Sequence, residues 1–280
     1  MAGRRPEPDH PVSATEPATP GPAMRPSQPL YDALAGDYEA HFAVAHRRAY
    51  DTLAWEAVRA LLPERGPIVD AGCGIGRWAA RLIELGYEVV GIEQAQQMLA
   101  ELRRRRLGAR LRILEGSMEE VELPAGAAGM VLAMGSLQYA RDPEATIRRF
   151  AGWVRPGGMV AVLVDSLVGL VLELLHDGKD SEALERLRTR RGVFRQAGQA
   201  ADLHLLDRAR LERAFAAAGL VEVRVAGLLV GAVAAGRDRL AGLLAADWHG
   251  RLAIERALAA DPLLADAGKQ LLAMGRRPGL

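Results

Sequence analysis

The apolar residues of the chain follow two kinds of spacing, which alternate through its middle. Short continuous runs, typical of buried strands, occupy residues 68–71, 87–92, 111–115, 129–134, 159–165 and 220–226. Helical spacing occupies residues 76–85, 94–106, 142–153 and 207–218. Strands separated by helices of about ten residues are typical of a parallel sheet with helices on both faces. The pattern therefore predicts an α/β fold with a doubly wound, mostly parallel sheet.

The same pattern divides the chain into six segments. Eight of the 15 prolines lie before residue 30, and the first 28 residues have almost no large apolar side chains. Such a composition cannot bury enough surface to offset the entropy of ordering the chain. We therefore predict a disordered tail at 1–28, N-terminal cap helices at 29–62, a core at 63–165, a helical lid insertion at 166–202, the end of the core at 203–235 and C-terminal helices at 236–280.

The last part of the sheet is less clearly defined by the pattern. Strand 220–226 needs a neighbour, for which we expect a hairpin partner strand. The sequence that follows, L-L-V-G-A-V-A-A-G, has a poor strand pattern. Either a short strand lies within 227–233, or this region is remodelled into helix.

Composition and charge exclude several classes of protein. The formal net charge of the 280-residue chain is only +1, which gives no argument for a nucleic-acid or membrane partner. No apolar run is long enough for a membrane span, and the N-terminus lacks the apolar stretch of a signal peptide. A single cysteine, Cys73, excludes an intramolecular disulfide and a cysteine-rich metal site. We expect a cytoplasmic protein with no metal.

A glycine-rich loop follows the first strand, in the sequence P-I-V-D-A-G-C-G-I-G-R-W at residues 67–78. Such a loop lets a ligand approach the backbone at the start of a helix. Arg77 stands where a dinucleotide-binding loop needs a small residue for helix packing. Asp70 would repel a pyrophosphate but suits a ligand with a cationic amine. The loop therefore favours S-adenosylmethionine (SAM), which carries an ammonium group and a positive sulfur.

Further motifs follow the glycine loop in order. Glu93 ends the second strand, where an acid can hold both hydroxyls of a ribose. The third strand runs into E-G-S-M-E-E, the fourth into L-A-M-G-S-L-Q-Y, and a V-R-P-G-G turn precedes the fifth. With these motifs the sequence resembles class I SAM-dependent methyltransferases of the small-molecule type, over residues 31–165 and, more loosely, 203–226.

The resemblance implies a Rossmann-like fold and a set of cofactor-binding residues, grouped by the part of SAM that they contact. In this family an Asp is more common at the position of Ser117, so the adenine contact here is expected through backbone or hydroxyl. The implied residues are Asp70, Gly72, Cys73, Gly74 and Gly76 for the methionine part; Glu93, Gln94 and Met98 for the adenosine; Gly116, Ser117 and Met118 for adenine; Met134, Gly135 and Ser136 beside the methyl group; and Tyr31 and Tyr38 closing over the cofactor.

Two residues are candidates for work on the acceptor. Tyr139 follows the fourth strand, where related methyltransferases often place a residue that touches the acceptor, or it packs beneath the lid. His204 follows the lid and is the best candidate for a general base, or it is a structural histidine.

The resemblance implies methyl transfer to an oxygen or nitrogen of a small-molecule or natural-product acceptor, or of a peptide, in secondary metabolism. A nucleic-acid methyltransferase is one alternative, although M-G-S-L lacks the Asn/Asp-Pro-Pro-aromatic signature of enzymes that attack base amines. A nicotinamide-dependent dehydrogenase and a non-catalytic partner protein of the SAM fold are the others. The protein is expected to be a monomer or a homodimer.

Overall fold

A computed structural model of the protein describes residues 24–279. They form nine strands and twelve α-helices, named in chain order. The strands are β1 (Ile68–Ala71), β2 (Val89–Glu93), β3 (Leu111–Glu115), β4 (Ala128–Met134), β5 (Val154–Asp165), β6 (Arg191–Gln196), β7 (Gln199–His204), β8 (Val221–Leu228) and β9 (Gln270–Arg276). The helices are α1 (Gln28–Leu34), α2 (Tyr38–Ala43), α3 (Ala45–Arg59), α4 (Arg77–Glu84), α5 (Gln96–Arg104), α6 (Pro143–Trp153), α7 (Leu167–His176), α8 (Asp180–Thr189), α9 (Arg208–Ala217), α10 (Val230–Ala235), α11 (Arg237–Ala246) and α12 (Trp248–Ala259).

Seven strands form one sheet in the order β3-β2-β1-β4-β5-β9-β8. The first five are parallel, and β9 runs antiparallel to both of its neighbours. One core cluster includes Phe150 of α6 and Phe215 of α9, and the other includes Leu53 of α3 and Leu82 of α4. The doubly wound, mostly parallel sheet predicted from the sequence is confirmed. Its strand order reverses between β1 and β4, which is where open α/β sheets bind ligands.

After strand 220–226 the chain forms helix α10 and no hairpin partner strand, which is the second of the two predicted alternatives. The neighbour of β8 is β9, reached only after α10, α11 and α12. The C-terminal segment predicted as helical therefore ends in a central strand of the sheet. That strand is buried on both faces and reads as a continuous apolar run, which periodicity cannot distinguish from a buried helix.

The insertion after the fifth strand is also not wholly helical, as it was predicted to be. Helices α7 and α8 are followed by a two-stranded hairpin of β6 and β7. Ala197 and Gly198 at its tip both have positive φ, 49° and 72°, as a two-residue hairpin turn requires. The alternating sequence on either side of A-G was the signal for this hairpin.

The predicted disordered tail lies mostly outside the described residues, which begin at Met24. Within its last five residues, Arg25 forms an ion pair with Asp202 of β7, and Gln28 begins α1. No helix in the described part of the chain is both long and apolar enough to cross a bilayer.

Candidate active site

The glycine loop lies between β1 and α4, at the point where the strand order reverses. Gly72, Gly74 and Gly76 have positive φ values of 75°, 53° and 78°. The N–H groups of Gly72 and Cys73 donate to the carbonyl of Ile92, at 2.8 and 3.0 Å, which ties the loop to β2. A Cβ added at Gly72 would overlap the side chain of Ser136, in the loop after β4. The loops after β1 and β4 therefore approach each other as closely as a glycine allows.

We expect Gly72→Ala to lower the melting temperature and to prevent binding of S-adenosylhomocysteine, because the new methyl group pushes the two loops apart. The control is Gly86→Ala, which also has positive φ but has nothing within 4 Å of the added Cβ. Both variants place an alanine at positive φ, which lowers the free energy of unfolding by about 1 kcal/mol or more in each. Equal destabilisation of the two variants in thermal melts would contradict the close approach.

Asp70 lies at the carboxyl end of β1 and is only 2% exposed. Its Oδ2 atom has no hydrogen-bond partner among the described residues, although an unpaired buried carboxylate is costly. Burial, and secondly the nearby carboxylate of Glu93, raise the pKa of Asp70 to about 7. The side chain lines a cavity at this edge of the sheet. It could therefore hold a cation such as the ammonium of SAM.

Binding of a cationic ligand at Asp70 is expected to depend on pH. The charged ligand requires the carboxylate form, so below about pH 7 the site must first release a proton. Affinity for S-adenosylhomocysteine should fall as the pH decreases from 7.5 to 5.5, by up to about tenfold per unit. Titrations in buffers of different ionisation enthalpy would measure the released proton. A flat profile across this range would contradict the assignment.

Glu93 ends β2, and its carboxylate is held rigidly by the backbone. Its Oε2 accepts from the N–H of Gly74, and its Oε1 from those of Gln94 and Ala95, each at 2.8 Å. Burial raises the pKa of Glu93, and the three hydrogen bonds oppose that shift. The carboxylate lines a second cavity, and one lone-pair site on Oε2 remains to accept from a ribose hydroxyl there.

The two cavities join beneath α1 and α2. The larger, of about 250 Å³, contains Asp70 and Cys73, and the smaller, of about 70 Å³, contains Glu93 and Gln94. Most of the predicted cofactor residues meet in this space. Six residues line both cavities: Tyr31, Tyr38, Gly72, Met134, Gly135 and Tyr139. The smaller cavity also contains Gly74, Gly116, Ser117, Met118 and Ser136.

Three of the predicted site residues line neither of these two cavities. Met98 is fully buried and packs with Leu30 of α1 beneath the loop. Gly76 begins α4 in a left-handed conformation, and a Cβ there would overlap Leu102 of α5. Met98 and Gly76 therefore support the conformation of the glycine loop without lining the cavities. His204, the third, is not brought to the cavity.

His204 ends β7, and its Nε2 lies 3.2 Å from Nη1 of Arg191. Burial, followed by Arg191 and Arg210, lowers the pKa of this histidine to about 4. Its position in the hairpin gives it a structural environment. This environment fits the second alternative predicted for His204, a structural histidine.

Tyr139 lies where the sequence places a residue in contact with the acceptor. Its ring packs edge-on against that of Tyr31, with centroids 5.5 Å apart. Burial, and then the carboxylate of Asp165, raise the pKa of Tyr139 above that of a free phenol. The phenol is protonated near neutral pH, so it is suited to position an acceptor rather than to deprotonate one.

The sequence analysis missed several residues of the larger cavity. Asp165, at the end of β5, accepts a hydrogen bond from Nε2 of Gln138 at 3.0 Å, and its own N–H donates to Oε1 of Gln138 at 2.9 Å. The end of a parallel strand was the available signal for Asp165. Arg47 of α3 and Lys269 also line the cavity, without a motif to mark them.

Comparison with known proteins agrees with this geometry. Residues 68–158 match the family model described as a methyltransferase domain. Over these residues the chain matches a methyltransferase domain. The predicted resemblance to methyltransferases and the predicted fold are confirmed.

Two curated methyltransferases match part of the chain at moderate sequence identity. The chain is 32% identical over 129 residues to a ubiquinone biosynthesis O-methyltransferase of Albidiferax ferrireducens, covering 44% of this chain and 50% of that protein. It is 32% identical over 111 residues to a trans-aconitate 2-methyltransferase of Deinococcus radiodurans, covering 38% and 42%. The chain thus spans about half the length of these curated relatives. A solved SAM-dependent methyltransferase of Mesorhizobium loti has a TM-score of 0.54 at 19% identity, covering 80% of this chain and 97% of that one.

Proposed function

We propose that the protein transfers the methyl group of SAM to an oxygen or nitrogen of a small-molecule acceptor. The observation that carries this proposal is the pair of joined cavities at the carboxyl edge of the sheet. The smaller holds the acid and backbone groups suited to a nucleoside, and the larger extends from Asp70 under the lid. The names of the two curated relatives refer to small molecules, which supports an acceptor of that class.

In this proposal each residue of the cofactor site has a binding task. SAM supplies a methyl group activated by the positive sulfur. Asp70 would bind its ammonium group, Glu93 its ribose, and Ser117 and Met118 would flank its adenine. Tyr31 and Tyr38 would cover the site and exclude water, and Tyr139 would orient the acceptor. Orientation and exclusion of water are the main contributions of the protein when the transferred group is already activated.

The size of the larger cavity favours a small acceptor over a nucleic acid. It holds about 250 Å³, and part of that space goes to the methionine end of SAM. Aromatic side chains from α2 and from the hairpin, among them Phe42 and Phe194, wall it in. We propose a natural-product or other secondary-metabolite scaffold, methylated in the cytoplasm by a monomer or a homodimer.

The test is a transfer assay with methyl-labelled SAM. The purified protein would be incubated with panels of phenols, acids, amines and short peptides, and separately with RNA. Label transfer to a small molecule, with S-adenosylhomocysteine released in equal amount, supports the proposal. Transfer to RNA alone would replace it with the nucleic-acid alternative.

A further inference from the structure

Among the described residues, Arg47 of α3 is the cation of the larger cavity that forms no ion pair. Its guanidinium is half-buried, and it makes no ion pair or side-chain hydrogen bond with the residues that the structure describes. The arginines near Arg47, in contrast, form ion pairs. Arg77 and Arg81 both pair with Asp51, and Arg77 pairs with Glu39 as well. The local carboxylates are therefore committed to other arginines.

The other charges of the cavity are also compensated. Lys269 holds both carboxylate oxygens of Glu173 at 2.7 Å. Asp165 is tied to Gln138, and burial raises its pKa, so it favours the neutral form more than a free carboxyl does. Asp70 is assigned to the ammonium of SAM. Asp165 attracts Arg47 across the cavity without forming an ion pair with it. With the cofactor bound, no carboxylate among the described residues pairs directly with Arg47, which faces the acceptor.

Several positive charges lie near His41, at the side of the cavity where Arg47 stands. Burial, followed by Arg47, His46 and Arg77, lowers the pKa of His41 to about 4. The guanidinium of Arg77 also lies 3.7 Å from the centroid of the Phe42 ring, so a cation already occupies one aromatic face. A cationic acceptor would be repelled here, although aromatic walls alone would suit one. An anionic acceptor would be attracted.

The walls of the cavity are suited to a flat apolar body. The chain has only five tyrosines and four phenylalanines, and six of these nine side chains line this cavity. Their rings meet edge to face, for example Phe42 with Tyr50 at 6.1 Å and Tyr31 with Tyr38 at 6.3 Å. Such arrangements bind aromatic rings by stacking and edge contacts.

We propose that the methyl acceptor is a small ring-bearing acid whose oxyanion pairs with Arg47 while its ring packs between the aromatic side chains. This inference rests on the proposed function, because it assigns the larger cavity to the acceptor. Arg47 serves as the anchor for a carboxylate or a phosphate, both of which match the guanidinium fork. It fixes the orientation of the ring toward Tyr139.

The test measures binding of simple probes to the protein loaded with S-adenosylhomocysteine, which keeps Asp70 and the cofactor site occupied. Benzoate and phenyl phosphate represent the two oxyanions, benzamide is the neutral match for benzoate, and benzylamine is the cationic match. Ligands of this size should bind with Kd on the order of 1 mM. We expect an oxyanion probe to bind at least tenfold more tightly than benzamide, and benzylamine not to bind.

Arg47→Met, which keeps the apolar stem but removes the charge, should weaken the oxyanion probe at least tenfold, and Arg47→Lys should weaken it less. Arg48→Met is the matched control, since Arg48 is exposed and packs over Trp248 instead. Binding of S-adenosylhomocysteine should be unchanged in all three variants, which shows that they fold.

The inference is overturned if benzylamine binds more tightly than benzoate and phenyl phosphate, if no oxyanion probe binds at about 10 mM, or if Arg47→Met leaves their binding unchanged. Each of these results leaves the proposed function standing as long as S-adenosylhomocysteine binds. Failure of that cofactor titration would instead count against the proposed function itself.

Discussion

Replacing Asp70 by asparagine is expected to weaken S-adenosylhomocysteine binding about hundredfold and to stabilise the unliganded protein at the same time. Among the described residues, one oxygen of this buried carboxylate has no hydrogen-bond partner, and the ammonium of the ligand would provide one. An ion pair lost from a buried site costs about 3 kcal/mol or more. In the unliganded protein, the same buried carboxylate lowers the free energy of unfolding.

The sign of the stability change follows from the pKa. The pKa of Asp70 is raised from 3.8 to about 7 by folding, so its favourable contribution is complete below pH 3.8 and is lost as the pH rises to 7. Asparagine removes this penalty, which should raise stability at pH 7.5 by about 1–3 kcal/mol and change it little at pH 4.

Thermal melts at both pH values, together with calorimetric titration, would measure the two effects of Asp70→Asn. Asp180→Asn is the control, because Asp180 is exposed at the start of α8, away from the cavity. Loss of both stability and binding in Asp70→Asn would show that the residue is structural. Undiminished binding would show that the ammonium lies elsewhere.

Glu93→Ala is expected to weaken S-adenosylhomocysteine binding a hundredfold or more and to lower the melting temperature by several degrees. The variant removes the acceptor for the ribose, and a hydrogen bond to a charged group contributes about 1.5–3 kcal/mol. It also leaves the N–H groups of Gly74, Gln94 and Ala95 without their acceptor. The control is Glu115→Ala at the end of the adjacent strand β3, where the carboxylate is exposed and pairs with Arg103.

A truncated ligand separates the roles of the two acids. 5′-Methylthioadenosine keeps the nucleoside of SAM but lacks the ammonium group. Glu93→Ala should weaken its binding as much as that of S-adenosylhomocysteine, whereas Asp70→Asn should leave it nearly unchanged. Equal effects of both variants on this ligand would mean that they act through general damage to the loop.

The part of the fold that the sequence predicted best is the part with the strongest local signals. Helices separate most of the strands from β1 to β5, and three glycines at alternate positions mark the loop after β1. Asp70 and Glu93 were identifiable because acids at the ends of adjacent parallel strands must meet at one edge of the sheet. The same rule applied to β5 would have found Asp165.

The parts that the sequence did not predict depend on long-range contacts. Strand β9 joins the sheet between β5 and β8 after three helices, and nothing local to residues 270–276 specifies that pairing. The hairpin of β6 and β7 pairs strands within a segment predicted as helical, and it holds His204 away from the cavity. Arg47 has no motif, and only its unpaired position in the folded cavity marks it.

Calorimetric titration of the purified protein with S-adenosylhomocysteine, with NAD as a parallel ligand, tests the central claim most directly. The account predicts a Kd on the order of micromolar for S-adenosylhomocysteine, no binding of NAD, and the same affinity in Glu115→Ala. Binding of NAD without S-adenosylhomocysteine would contradict the assignment of Asp70 and Glu93 to a SAM site.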